Sequence, residues 1–275
     1  MEQNIEQQVT RGGITPTVYP TGLPKSFPFA TEIISLPSEG LCYPENHPLS
    51  KGSIEIKLLT AKEEDILTSI NLIRRNEHIN KMLESIVVEP GVSINDILVG
   101  DKNAILVASR MLAFGAEYDV TVDDPETGEP THVKVDLSQI QTKQLNKEIL
   151  NRKNEYEFVL PISKTAIKFK FLSHGDEIAI SKDVEAIEKI TKTSGEITAR
   201  YRRQIVEVNG VRDYGHISNF VTNGLLAGDS KALRKYANSI TPDLNLTFKY
   251  TTASGEEEAL RIPFGVDFFY PIDWL

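Results

Sequence analysis

The stretch Leu98–Val120, LVGDKNAILVASRMLAFGAEYDV, decides the fold. From Ala104 to Phe114 nearly every residue is apolar, Ser109 and Arg110 excepted. A helix that is apolar around most of its circumference is buried on several sides. Gly115 is placed to end that helix. Tyr118-Asp119-Val120-Thr121-Val122 then changes to the period of two that marks a strand. At the front, Gly100-Asp101 reads as a stop and restart, with Gly100 closing one helix and Asp101 capping the next. A buried helix that leads straight into a strand belongs in the middle of a domain.

Upstream of it, Ser53–Leu59 alternates like a strand, and Thr60-Ala61-Lys62-Glu63 has the form of a capping box. Behind that box, Leu59, Ile66, Ile70 and Ile73 fall on one helical face. The acids Glu63, Glu64 and Asp65 sit in the first turn, where the helix dipole favours negative charge. Capping accounts for them more simply than a metal or acid–base site does. A second helix carries Ile79, Met82, Leu83 and Ile86, and Ser93–Leu98 reads as a short capped turn. Leu36–Pro44 (LPSEGLCYP) is rich in turn formers. Residues 1–35 read as an extended arm, because Gly12-Gly13, Pro16, Pro20, Pro24 and Pro28 disfavour regular structure. Such an arm buries little of its own surface and needs another surface to lie on.

Downstream, Val120–Leu137 reads as a hairpin turning at Glu126-Thr127-Gly128-Glu129. Leu137–Leu150 reads as a polar helical connection anchored by Leu145 and Ile149. Tyr156–Leu160 and Ile167–Leu172 form a second hairpin. Ser173 opens a helix with Ile180, Val184 and Ile187 on one face. Arg200–Arg203 leads through the turn signal Asn209-Gly210 to helices near Ile217–Leu226 and Lys231–Ile240. A last hairpin, Leu246–Thr252 with Ala259–Phe264, ends in a tail rich in aromatics. Helices followed by a hairpin, twice over, predict an α+β chain. Its parts are the arm (1–35), a helical module with hairpin (36–150), and a second α+β module with the C-terminal hairpin and tail (151–275).

With 275 residues, 40% of them hydrophobic and 25% charged, the chain has the composition of a soluble globular protein. Its net charge of −9 argues against nonspecific nucleic-acid binding. The local basic clusters, Arg200, Arg202 and Arg203 with Lys231, Arg234 and Lys235, read as solvated helix faces or partner contacts. One cysteine, Cys42, excludes an intrachain disulfide and a cysteine zinc site, and fits a reducing compartment. The polar N-terminus and the lack of a long apolar run predict a soluble chain with no membrane partner, intracellular when made.

The sequence contains no GxGxxG, GxxxxGK[ST], GxSxG or HExxH. Five scattered histidines show no ligand spacing. His174 beside Asp176, and Asp213 beside His216, are the nearest approaches to an acid–base pair. Cys42 lacks a helix N-terminus that would lower its pKa. The reading is therefore no catalytic residue, no metal ligand, no cofactor and no small-molecule substrate.

Five blocks in order, LPSEGLCYP, LTAKEEDILTSINLIRR, ILVGDKNAILVASRMLAFGAEYDV, VDL and IPFGVDFFYP, resemble the baseplate hub assembly chaperone family of contractile-tailed, T-even-like phages. The likeness runs from about Leu36 to the C-terminus. Many relatives carry CxxC-type pairs in their hairpins, resembling zinc ribbons. Here those turns read Asp123-Asp124-Pro125-Glu126 and Tyr250-Thr251-Thr252-Ala253, so no zinc site carries over and packing alone must hold the hairpins. The resemblance implies a non-enzymatic structural or assembly protein of the baseplate hub, either released after assembly or retained. Its partners would be hub proteins and tail-tube or tape-measure components, in a multi-copy assembly of the virion tail baseplate built in the host cytoplasm.

Aromatic and proline-rich termini single out Phe269, Tyr270, Trp274, Pro16, Tyr19 and Pro20 as partner-binding residues. Two rival readings stand beside this one. A tail-tip hydrolase acting on the cell wall would need Glu63, Glu64, Asp65, Asp123 and Asp124 to converge in a cleft. A nucleic-acid adaptor would use Arg200–Arg203 and Lys231–Lys235.

Overall fold

The computed structural model describes residues 30–123, 128, 130–192, 194–252 and 255–269. Strands β1 (Thr31–Ser35) and β2 (Ser53–Lys57) pair antiparallel, with Ile34 opposite Ile54. Alternation sends Ile54 and Ile56 inward, and both are fully buried. Helix α1 (Ala61–Thr68) begins with the expected capping box, in which the Thr60 amide and hydroxyl both donate to the Glu63 carboxylate.

The apolar face expected through Ile70 does not continue. The backbone turns extended at Ser69, and a separate short helix α2 (Ile70–Arg74) leaves Ile70 exposed while Leu67 takes the core position. Helix α3 (His78–Ile86) buries Met82, Leu83 and Ile86, as its spacing predicts.

Helix α4 (Val99–Phe114) is buried at every position from Gly100 to Met111 except Lys102. The expected break at Gly100-Asp101 is absent, because both residues lie inside the first turn. Gly100 answers a tertiary need: a Cβ built there would stand 1.9 Å from the carbonyl oxygen of Pro242. Gly115, at φ +83°, does end the helix. Strand β3 (Glu117–Asp123) then pairs with β4 (Pro130–Asp136), turning Tyr118, Val120 and Val122 inward.

The connection 137–150, expected to be helical, holds only two short 3-10 turns, Leu137–Gln139 and Lys147–Ile149. Asp136 and Asn146 each accept from the amide two residues on, an arrangement that competes with a helix. Backbone groups between the turns pair with another segment instead: Lys143 N–H donates to the Asp243 carbonyl, and Asn245 N–H to that of Gln141. Leu137 and Ile140 are the buried anchors, whereas Ile149 is exposed.

Strands β5 (Tyr156–Val159) and β6 (Ala166–Phe169) form the second hairpin. Helix α5 (His174–Thr191) starts from a capping box at Ser173 and packs with α6 (Glu196–Gln204). Strand β7 (Ile205–Val208), not foreseen in the sequence, then joins β6 as the third strand of that sheet. Helix α7 (Tyr214–Asn219) runs into a π turn over Phe220–Gly224, and α8 (Ala227–Ile240) follows. Strands β8 (Thr247–Thr251) and β9 (Glu257–Arg261) make the last hairpin, ahead of the short helix α9 (Val266–Phe269). The architecture is α+β, helices with small antiparallel sheets.

One apolar cluster contains buried residues from Ile34 to Phe269. Two buried charges on α4 bind distant parts of the chain to it. Asp101 accepts from the Ser38 amide at 2.9 Å and from the hydroxyls of Ser38 and Tyr43 at 2.7 Å each. The Tyr43 hydroxyl in turn accepts from the Leu98 amide. Arg110 donates to the carbonyls of Phe268 at 2.9 Å, Gly115 at 3.0 Å and Glu117 at 3.1 Å, fixing α9 and the start of β3. Phe268 packs edge-on against Tyr118 and Phe264.

Two glycine substitutions separate close approach from backbone strain. Gly100→Ala is expected to cost about 3 kcal/mol or more by chemical denaturation, because backbone faces the new methyl group. Gly115→Ala meets open space but positive φ, and should cost about 1 kcal/mol.

Candidate functional site

The residues named as chemical candidates do not converge. Glu63 is fully buried and accepts from Lys57 at 2.7 Å, Ser85 at 2.6 Å, and the Thr60 hydroxyl and amide. Burial alone would raise its pKa, but these donors outweigh it and hold the carboxyl down at about 2. This is a stable carboxylate at the junction of β2, α1 and α3. Glu64 and Asp65 face solvent on α1, Asp123 is exposed at the end of β3, and Asp124 lies outside the described residues. Among the described residues, no group of His, Cys, Asp and Glu is arranged to hold a metal ion.

Asp176 closes the capping box of α5 and accepts from Lys170, while the Nδ1 of buried His174 stands 4.0 Å from Glu177. Asp213 caps α7 by accepting from the His216 amide. Cys42 is buried with its Sγ 3.5 Å from the Tyr156 hydroxyl, and burial pushes its thiol up to about 11. A thiol so protected is a poor nucleophile.

The described residues do enclose a cleft of about 610 Å³ between the first turn of α4, the segment after β6, α6 and α8. Leu98, Phe171, Leu172, Ile197, Tyr201 and Ala237 give it apolar surface. Lys143, Arg200, Arg234 and Arg261 bring positive charge, and Glu177, Glu196 and Asp243 negative.

Each acid is already engaged. Glu177 pairs with Lys102 and Glu196 faces Arg200 at 3.5 Å. Asp243 accepts from Asn103 and from the Leu244 amide at 2.8 Å each, with Arg261 at 3.4 Å. Burial raises the Glu177 pKa, but His174 and Lys102 more than offset this and bring it to about 2. Lys143 and Arg234 meet no acidic side chain among the described residues.

The cleft joins two basic clusters that the sequence presents separately, since Arg200 belongs to one and Arg234 to the other. Their neighbours are spent elsewhere: Arg203 pairs with Asp183 at 3.1 Å and Arg202 donates to Thr222. No spacing in the sequence announces this meeting, because α6 and α8 are brought together by tertiary packing.

Of the residues expected at a partner surface, Phe269 is fully buried, its ring edge-on to Phe268. Tyr270, Trp274, Pro16, Tyr19 and Pro20 lie outside the described residues.

A family model described as T4 bacteriophage base plate protein matches residues 43–269, a span that includes α4 and the whole lining of the cleft. No curated protein and no solved structure matches the chain.

The Glu63 geometry sets a pH dependence. Its folded pKa lies below the usual carboxylate value, so its stabilisation is complete above about pH 4.5 and is lost as the pH falls toward about 2. Glu63→Gln should lower the Tm at pH 6, and the gap from the parent protein should narrow between pH 5 and pH 2 in calorimetry. A gap independent of pH would show that Glu63 is not the group titrating.

Proposed function

The chain belongs to the T4 bacteriophage base plate protein family, and on that premise we propose that it assembles the baseplate hub through protein–protein contacts. Membership makes it a structural protein of the phage tail baseplate, in contact with other baseplate proteins. The finer reading names hub and tail-tube or tape-measure components as partners. It places assembly in the host cytoplasm and has the chain act without catalysis.

The observation that carries this reading is the family match across residues 43–269, which takes in the buried helix and the elements packed around it. Local chemistry is in keeping with it. Glu63, the one acid of the Glu63-Glu64-Asp65 run with several partners, is consumed by donors inside the core. The aromatic residues Tyr270 and Trp274, with Pro16, Tyr19 and Pro20 of the arm, are the proposed terminal anchors, since aromatic side chains carry much of the contact energy at interfaces.

Deletion of the gene is expected to leave cells with tail components but without complete baseplates in electron micrographs. Quantitative mass spectrometry of purified particles and infected-cell lysates would then assign the mode of action. Stoichiometric peptides in particles identify a resident component, and abundance in lysate alone identifies a released assembly factor. Intact, infectious tails from the deletion would overturn the proposal.

A further inference from the structure

We propose that the cleft between α6 and α8 is a docking site for an acidic peptide segment of a partner protein, one that places an aliphatic side chain between carboxylates. The inference deepens the reading of the chain as a component held by protein contacts, and rests on it.

Charge complementarity is the first argument. The chain carries a net charge of −9, yet four cationic side chains line this one cleft, and its three acids are already engaged. Lys143 and Arg234 have no carboxylate to neutralise them among the described residues. Arg200 and Arg261 hold theirs only at 3.5 Å and 3.4 Å, with Arg200 half-buried and Arg261 exposed. A carboxylate entering the cleft would displace weak contacts and gain an arginine fork.

The second argument is the lining. Ile197 is 59% exposed at the wall and has no core role, unlike the buried apolar side of α6 at Ala199 and Tyr201. An apolar residue left open beside guanidinium groups suits a side chain flanked by acids. It is of little use to a phosphodiester backbone, which is why peptide is favoured over nucleic acid here. The cleft volume is within the range of pockets that enclose a ligand-sized group.

The test uses the purified full-length protein and three probes: a short fluorescein-labelled peptide of glutamates around a central leucine, the same peptide with lysine for glutamate, and a single-stranded oligothymidylate. The glutamate peptide should bind in fluorescence anisotropy, more weakly as salt is raised, and protect Leu98–Gly100 and Tyr201–Gln204 from hydrogen exchange. Arg200→Glu with Arg234→Glu should weaken it by roughly tenfold or more. Arg75→Glu with Lys81→Glu, the same charge change outside the cleft, should have little effect. Arg234→Gln, at an exposed position without a side-chain partner among the described residues, gives a reading even if the double variant is unstable, and should weaken binding severalfold.

Equal loss in both double variants, binding of the oligothymidylate in preference to the peptide, or no binding of the glutamate peptide would each overturn the proposal. Because these readouts need no phage particle, their failure is separable from failure of the deletion experiment.

Discussion

The carboxylate of Asp101 is the constraint on which the rest of the structure depends. It sits fully buried in the first turn of α4, without a cationic partner among the described residues, and three donors from Ser38 and Tyr43 surround it. Burying an ion is costly, and its pKa rises to about 6 through that burial. Hydrogen bonds to the charged form, together with the positive end of the helix dipole, offset the cost only while the 38–43 segment stays seated. Arg110 does the converse further along the helix, where its guanidinium donates to three carbonyl oxygens and lies over the Phe114 ring. An anion and a cation thus fix opposite ends of one apolar rod to three separate parts of the chain: the 38–43 segment, the start of β3 and α9.

This arrangement explains where an interaction surface can lie. The cleft starts at Leu98–Gly100, the same turn that Asp101 and Tyr43 hold in place, and Asn103 reaches from α4 to Asp243 on the opposite rim. Arg200 and Arg234 stand on α6 and α8, which the Tyr201 hydroxyl links by donating to the Ser230 carbonyl, and that fixed mounting lowers the ordering cost of receiving a partner. The contrast with the acidic remainder gives an approaching acidic segment one favoured place to settle.

What the sequence revealed was local. The capping box at Thr60, the helix start at Ser173, the apolar spacing of α3, the Gly115 stop, and the alternation of β3 all depend on residues a few positions apart, and each is as read. The misreadings share a different cause. Gly100 looked like a helix stop because a glycine demanded by a strand-like segment passing close by has the same letter as one demanded by positive φ. The 137–150 connection looked helical because its backbone partners lie a hundred residues on. Strand β7 is invisible without its neighbour β6, and the cleft is invisible without α6 beside α8. Asp101 offered no signal that it is buried, since an Asp in the first turn is also the commonest surface cap.

The contact between Gly100 and the Pro242 carbonyl has a consequence for synthesis. A ribosome delivers Gly100 long before it delivers Pro242, and the loop to be closed between them spans more than half of the chain. Until the later segment arrives, Gly100 and the side-chain amide of Asn103 lack their contacts with Pro242 and Asp243, and α4 is left open along that side. Closure of the core on that side is therefore timed by the last part of the message, and a polypeptide that ends before Asp243 leaves the Gly100 side of α4 uncovered.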